Sequence, residues 1–134
     1  MSQPVTVTEQ TNHKYTNNIS NGRHRMIADE PEELGGADLG PTPFEYLCAA
    51  LGSCTTITMR MYVDRKGWSV DQLAAVVSHS KQEVSGQMTD VFERHLTITG
   101  NISDEQRQRI MTIANKCPVH RTLEASSHVV TQLR

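Results

Sequence analysis

Residues 42–67 read TPFEYLCAALGSCTTITMRMYVDRKG, and this stretch decides the fold. Thr42-Pro43-Phe44-Glu45 has the form of an N-cap, a proline at the first helical position and a capping-box acid. A helix is therefore expected from there to about Lys66, with Gly67 as its stop. Leu47, Leu51, Cys54, Thr58 and Met61 recur at spacings of four and three, which reads as one face. Ala49, Ala50, Gly52 and Ser53 thin the first half of this helix. Small residues let another backbone approach closely, and Gly52 inside a helix costs about 1 kcal/mol relative to Ala. Close packing is a reason to tolerate it.

Upstream, HKYTNNIS and RHRMIADE flank Asn21-Gly22, a dipeptide that favours a type I′ hairpin turn. Residues 1–10 read as frayed. PEELGGADLGP, residues 31–41, is rich in glycine and proline and reads as a loop. It lacks the spacing of a dinucleotide-binding loop, because Ala37 stands where a glycine is required.

Downstream, QLAAVVSHS and VFERHLTITG read as strands, the second placing Phe92, Arg94, Leu96 and Ile98 on one side. Ser103 with Gln106 is a second capping box and opens a helix over about residues 104–116. Pro118 starts a short helix through about Leu123. SHVVTQL reads as a closing strand. The pattern ββ–long α–ββ–α–α–β is an α+β domain, taken as one domain over residues 1–134.

The chain has a net charge of −2, which gives no electrostatic case for nucleic acid or an anionic membrane. No apolar run approaches the roughly 20 residues of a membrane span, and the polar start lacks a secretory signal. A cytoplasmic location is the expectation. Cys48, Cys54 and Cys117 are an odd number of thiols, which argues against a disulfide framework. Aromatic residues are only 4%, so the core leans on aliphatic side chains, and a partner could be needed to cover it.

The thiols carry the chemical question. With Pro118 opening a helix, Cys117 becomes its N-cap, and its sulfur faces unpaired N–H groups that stabilise a thiolate. The alternative is a cysteine merely tolerated at a junction. Cys54 lies on an apolar face, where desolvation favours the neutral thiol. It is either a core residue or a nucleophile that borrows a cation from elsewhere. Arg23 and Arg25, beside the hairpin turn, are the candidates, since Arg60 points about 240° around the helix from Cys54. Cys48 reads as structural. Cys117-x-x-His120 supplies half a zinc site, but Cys48 and Cys54 do not project together to complete it. His120 reads as a surface or helix-end residue.

Taken together, GPTPFEYLCAALGSCTTITMRMYVDRKGW and ANKCPVHRTLE resemble the OsmC-like group of the OsmC/Ohr family. That family is named for osmotically inducible and organic hydroperoxide resistance proteins. ELGGADLGP and Gly22-Arg23 also fit, and the resemblance runs from about residue 13 to the end. It implies an intertwined homodimer with its long helices at the centre. It implies a thiol-dependent peroxidase of organic hydroperoxides that uses no metal or other cofactor and is restored by an external dithiol. Cys54 matches the attacking thiol and Cys117 the resolving thiol, linked as a disulfide in the cycle. Arg23 matches the arginine that holds the thiolate, with Arg25 as the alternative. Glu45 matches the glutamate that orients this arginine, displaced by one position because Phe44 follows the proline. Glu45 and Cys54 lie about 13 Å apart along one helix, so Glu45 would serve a site through the arginine or in the partner subunit. Phe44, Leu47, Leu51 and Met61 could line an apolar recess. Two other readings stand beside this one: a non-catalytic protein binding a small ligand on the same fold, and a zinc-stabilised interaction module.

Overall fold

A computed structural model describes residues 2–134. The chain divides into two compact units, one ending at Leu47 and the other spanning Cys48–Arg134.

The first unit is built on a three-stranded antiparallel sheet of β1 (Thr6–Glu9), β2 (Asn17–Ser20) and β3 (Arg25–Ala28), in that order. β1 forms where the sequence predicts a frayed start, because its backbone pairs with β2 from Thr6↔Ser20 to Glu9↔Asn17. The β2–β3 hairpin closes at Ser20↔Arg25, so its loop is longer than the expected two-residue turn. The side chain of Asn21 explains this: its Oδ1 accepts the N–H of Arg23 at 3.0 Å and of His24 at 2.8 Å. Gly22 supplies the left-handed conformation there, with φ of 91°.

The loop that follows is organised by a buried carboxylate. Asp29 accepts the hydroxyl of Thr16 at 2.7 Å and the N–H groups of Glu30 and Leu39 at 2.8 and 3.2 Å. Burial would raise the Asp29 carboxyl, but these bonds pull it below its ordinary value. Gly40 is required here, because a Cβ would lie 2.2 Å from the carbonyl oxygen of Ile27.

α1 spans Pro43–Lys66, as the capping signals predict. Glu45 N donates to Thr42 Oγ1 at 3.2 Å, and Thr42 N donates to Glu45 Oε1 at 2.8 Å. At the other end, Gly67 has φ of 70° and Trp68 N returns to Val63 O at 3.0 Å, which closes the helix.

In the second unit, β4 (Ser69–Val84) and β5 (Gln87–Asn101) form one long antiparallel hairpin. Ser85 and Gly86 both have positive φ, 51° and 83°, which is the turn geometry that suits strand twist. α2 (Asp104–Ala114) begins with the predicted capping box, Gln106 N donating to Ser103 Oγ at 3.1 Å and Ser103 N to Gln106 Oε1 at 2.9 Å. α3 (Pro118–Glu124) starts at Pro118 with Cys117 as N-cap.

The core of this unit joins Met59 and Val63 of α1, Val70 and Ile98 of the hairpin, and Ile110 and Ala114 of α2. Full burial of side chains such as Met59 or Ile110 contributes roughly 1.5–3 kcal/mol each. The buried stripe of α1 in this unit is Leu51, Thr55, Met59 and Val63, not the stripe through Cys54, Thr58 and Met61. Met61 is 61% exposed, and Leu47 is exposed as well. Both stripes carry apolar residues, so periodicity could not choose between them. The burial of a threonine is explained by its hydroxyl, which donates to Leu51 O at 2.6 Å. Gly52 admits the side chain of Val77 rather than another backbone: a Cβ on Gly52 would lie 3.3 Å from Val77 Cγ2.

The predicted closing strand does not form. Residues 126–134 carry no regular structure, and Val129 and Leu133 are exposed. Alternating composition suits a strand, but a strand exists only when its backbone groups find a ladder partner.

Candidate active site at two facing thiols

The site is assembled by three elements of the second unit. α1 contributes Cys54 and Thr55 on adjacent positions of its central turns, and the α2–α3 corner contributes Cys117. β5 contributes Arg94.

Cys54 and Cys117 carry free thiols and lie within hydrogen-bonding contact of each other. Cys117 is wholly buried, and Cys54 is half-buried. Pro118 explains the local geometry at Cys117. Proline cannot continue α2 but is well suited to begin α3, which leaves Cys117 extended, with φ of −60° and ψ of 132°. From that position its Sγ accepts the backbone N–H of His120 at 3.3 Å. The N–H of Val119 reaches both sulfurs.

These contacts split the two thiols electrostatically. Burial alone would raise Cys117, but hydrogen bonds from the Cys54 thiol and the His120 N–H, with the contact to the Thr55 side chain, pull it below the ordinary cysteine value. Cys54 moves the other way. Burial pushes it up, and so does the bond to Cys117, while contacts with Val119 and Thr58 only partly offset this. Of the two thiols, Cys117 is therefore the more readily ionised and Cys54 the less.

Arg94 stands behind this pair. Its Nη1 donates to Thr55 Oγ1 at 2.9 Å and to Ala114 O at 3.2 Å, and its Nη2 donates to Asn115 Oδ1 at 3.0 Å. Nη2 also donates to His120 Nδ1 at 2.8 Å. Guanidinium can only donate, so His120 Nδ1 is an acceptor, and the ring proton sits on Nε2 facing Glu124 Oε1 at 2.5 Å. His120 thus lies at a helix end, one of the two places expected from the sequence, but is half-buried and engaged on both ring nitrogens rather than free at the surface. Those bonds also take the lone pair that a zinc ion would need from it. Among the described residues, no group of three His, Cys, Asp or Glu is placed to hold a metal.

Leu51, Phe92, Leu123, Arg94 and His120 are among the residues that line a cavity of about 450 Å³, with Asp90 and Glu124 as its acidic members. Of the apolar residues expected to line a recess, Leu51 faces this cavity, whereas Met61 borders a separate cleft with Thr56, Ile57 and Arg60.

The other sequence-derived residues belong to the first unit. Arg23 sits in the β2–β3 loop and Arg25 at the start of β3, both exposed. Glu45 is spent on the α1 cap, and the Thr42 N–H and hydroxyl hold its carboxyl below the ordinary value. Sequence reasoning missed Arg94, Thr55 and the engagement of His120. A signal for Arg94 existed: it alternates with Phe92, Leu96 and Ile98 on the covered side of β5, and an arginine there requires partners.

A family model described as OsmC-like protein matches residues 35–132. Among solved structures, the chain is similar to an OsmC-like protein from Mycoplasma pneumoniae, with a TM-score of 0.76 and 18% identity, covering 92% of this chain and 88% of that one. It is also similar to an organic hydroperoxide resistance protein OsmC from Legionella pneumophila, with a TM-score of 0.69, 16% identity, and coverage of 92% and 90%. An organic hydroperoxide resistance protein from Elizabethkingia anophelis has a TM-score of 0.66, 21% identity, and coverage of 90% and 86%. At these identities the likeness to solved structures shows the fold. No curated protein matches the chain by sequence.

Proposed function

This chain belongs to the OsmC-like protein family, and from that premise we propose that it is a cytoplasmic, thiol-dependent peroxidase of organic hydroperoxides. The observation that carries the reading is the hydrogen-bonding contact between Cys54 and Cys117 beneath the first N–H groups of α3.

Cys54, its proton given up to solvent, attacks the terminal oxygen of the hydroperoxide as a thiolate. An S–O bond forms, the O–O bond breaks, and the alkoxide leaves and takes a proton from solvent. Cys54 is then a sulfenic acid, the reversible first step of cysteine oxidation. Cys117 next attacks the Cys54 sulfur, the S–O bond breaks, and the hydroxide leaves with the Cys117 proton as water. The Cys54–Cys117 disulfide is reduced by an external dithiol, which completes a two-electron cycle. Arg23, oriented by Glu45, is the cation assigned to the attacking sulfur, with Arg25 as the alternative. The cavity shared by Leu51, Phe92 and Leu123 suits the organic part of the substrate. The working form is a homodimer, for which the exposed Ile57 and Met61 of α1 supply apolar contact area.

The test is to add one equivalent of an organic hydroperoxide to reduced protein and map the products by mass spectrometry. A Cys54–Cys117 disulfide should form. Cys54→Ser should abolish peroxide consumption, and Cys117→Ser should stop after one turnover with a trappable sulfenic acid. Peroxide consumption by Cys54→Ser at the parent rate would sink the assignment.

A further inference from the structure

We infer that Arg94 is a positioning residue for the resolving thiol: it fixes the groups that surround Cys117 and so governs disulfide closure. The inference rests on the peroxidase reading above but is carried by different atoms.

Arg94 does not touch either sulfur. It reaches instead to three groups that do, or that fix those that do. Thr55, whose hydroxyl oxygen accepts from Arg94, contacts the Cys117 sulfur from α1. Asn115 and His120 flank Cys117 in the chain, and Arg94 holds both side chains. His120 in turn gives its backbone N–H to Cys117 Sγ. The fourth bond goes to the carbonyl of Ala114, at the end of α2. A helix end leaves its last carbonyls without intrahelical partners, and a cation there is favourable. α2 has no basic residue in its own last turn, so the cation comes from β5. One planar fork therefore ties α1, the α2–α3 corner and α3 around a buried sulfur.

The geometry is particular to arginine. Four of its five N–H groups are used, in two directions at once, which a lysine ammonium on a flexible stem cannot reproduce. Closure of the disulfide requires Cys117 sulfur to approach Cys54 along the S–O axis while the surrounding donors ease the loss of its proton. Loosening the corner removes both the orientation and the donors. The cost falls on the second chemical step rather than on the attack on peroxide.

The experiment compares Arg94→Met, Arg94→Lys and His120→Ala with the parent in two measurements. The first is titration of Cys117, read from its labelled Cβ chemical shift. The second is a single turnover with an organic hydroperoxide, in which formation and decay of the Cys54 sulfenate are followed separately. Arg94→Met is expected to move the Cys117 midpoint upward and to slow sulfenate decay about tenfold or more, as expected for lost charge-assisted hydrogen bonds. Formation of the sulfenate should slow much less. Arg94→Lys should recover part of the loss. His120→Ala should show a smaller effect, and adding it to Arg94→Met should cost little more, because the two residues act as one unit. A folded Arg94→Met protein with the parent midpoint and parent sulfenate decay would overturn the inference. Should Arg94→Met not fold, His120→Ala decides in the same way. If the parent itself forms no disulfide with hydroperoxide, the peroxidase reading fails, while the titration still tests the role of Arg94.

Discussion

The sulfur of Cys117 accepts the backbone N–H of His120 at 3.3 Å, so the residue that begins α3 also receives that helix's first donors. The Cys54 thiol is in hydrogen-bonding contact with the same sulfur. The Cys117 sulfur is thus placed where a neighbouring thiol can donate a hydrogen bond to it and backbone N–H groups can bear negative charge on it.

The first consequence concerns which thiol ionises. In reduced protein Cys117 should titrate below the ordinary cysteine range and Cys54 above it. Removing Cys117 as Cys117→Ser should bring the Cys54 midpoint down, because the contact with Cys117 is one of the causes that raise it. Labelled Cβ chemical shifts followed against pH measure both. A Cys54 midpoint unaffected by Cys117→Ser would contradict the contact between the two thiols.

Two methionines on one helix test which stripe of α1 is the inner one. Met59 is 0% exposed and Met61 is 61% exposed. Met59→Ala should cost about 2–5 kcal/mol of folding stability, from lost burial and the cavity left behind. Met61→Ala should cost less than about 0.5 kcal/mol within the chain. Urea denaturation of both variants at one protein concentration gives the comparison, and equal losses would refute the assignment of the stripe.

The capping box of α2 gives a smaller, local effect. Ser103→Ala removes the acceptor of the Gln106 N–H and should destabilise by about 1 kcal/mol. The same denaturation measurement reads it. Ser103→Asp should retain most of the stability, since aspartate caps by the same bond.

Acid should act on the first unit through Asp29. Its carboxyl is lowered in the folded chain, so the unfolded chain binds the proton more readily. The stabilisation is present above the ordinary value of 3.8 and is lost as pH falls below it, through the folded-state value. Asp29→Asn should lose stability at neutral pH and show a shallower acid limb than the parent. Thermal unfolding between neutral and strongly acidic pH follows this, and an acid limb of parental steepness in the variant would be inconsistent with it.

The parts of the molecule legible in the residues were those fixed over a few positions. Thr42 with Glu45, Ser103 with Gln106, and Pro118 each bias backbone within one turn, and all three helices begin where these residues set them. Gly67 ends α1 for the same local reason. The Asn21-Gly22 turn shows the limit of such reasoning. The dipeptide marked the hairpin correctly, but the Asn21 side chain captured two further N–H groups and lengthened the loop. Arg94 was visible only as an arginine on the wrong side of an alternating strand.

Sequence alone determined the three α-helices and their order, and the placing of one cysteine within a helix and another at a helix start, because caps and breakers act through neighbouring backbone. Tertiary structure decided the rest. It chose which stripe of α1 is buried, left residues 126–134 without a ladder, and gave Arg94 its four partners. Those outcomes depend on groups tens of residues apart competing for the same contacts. That competition is settled by packing, and no short run of residues contains it.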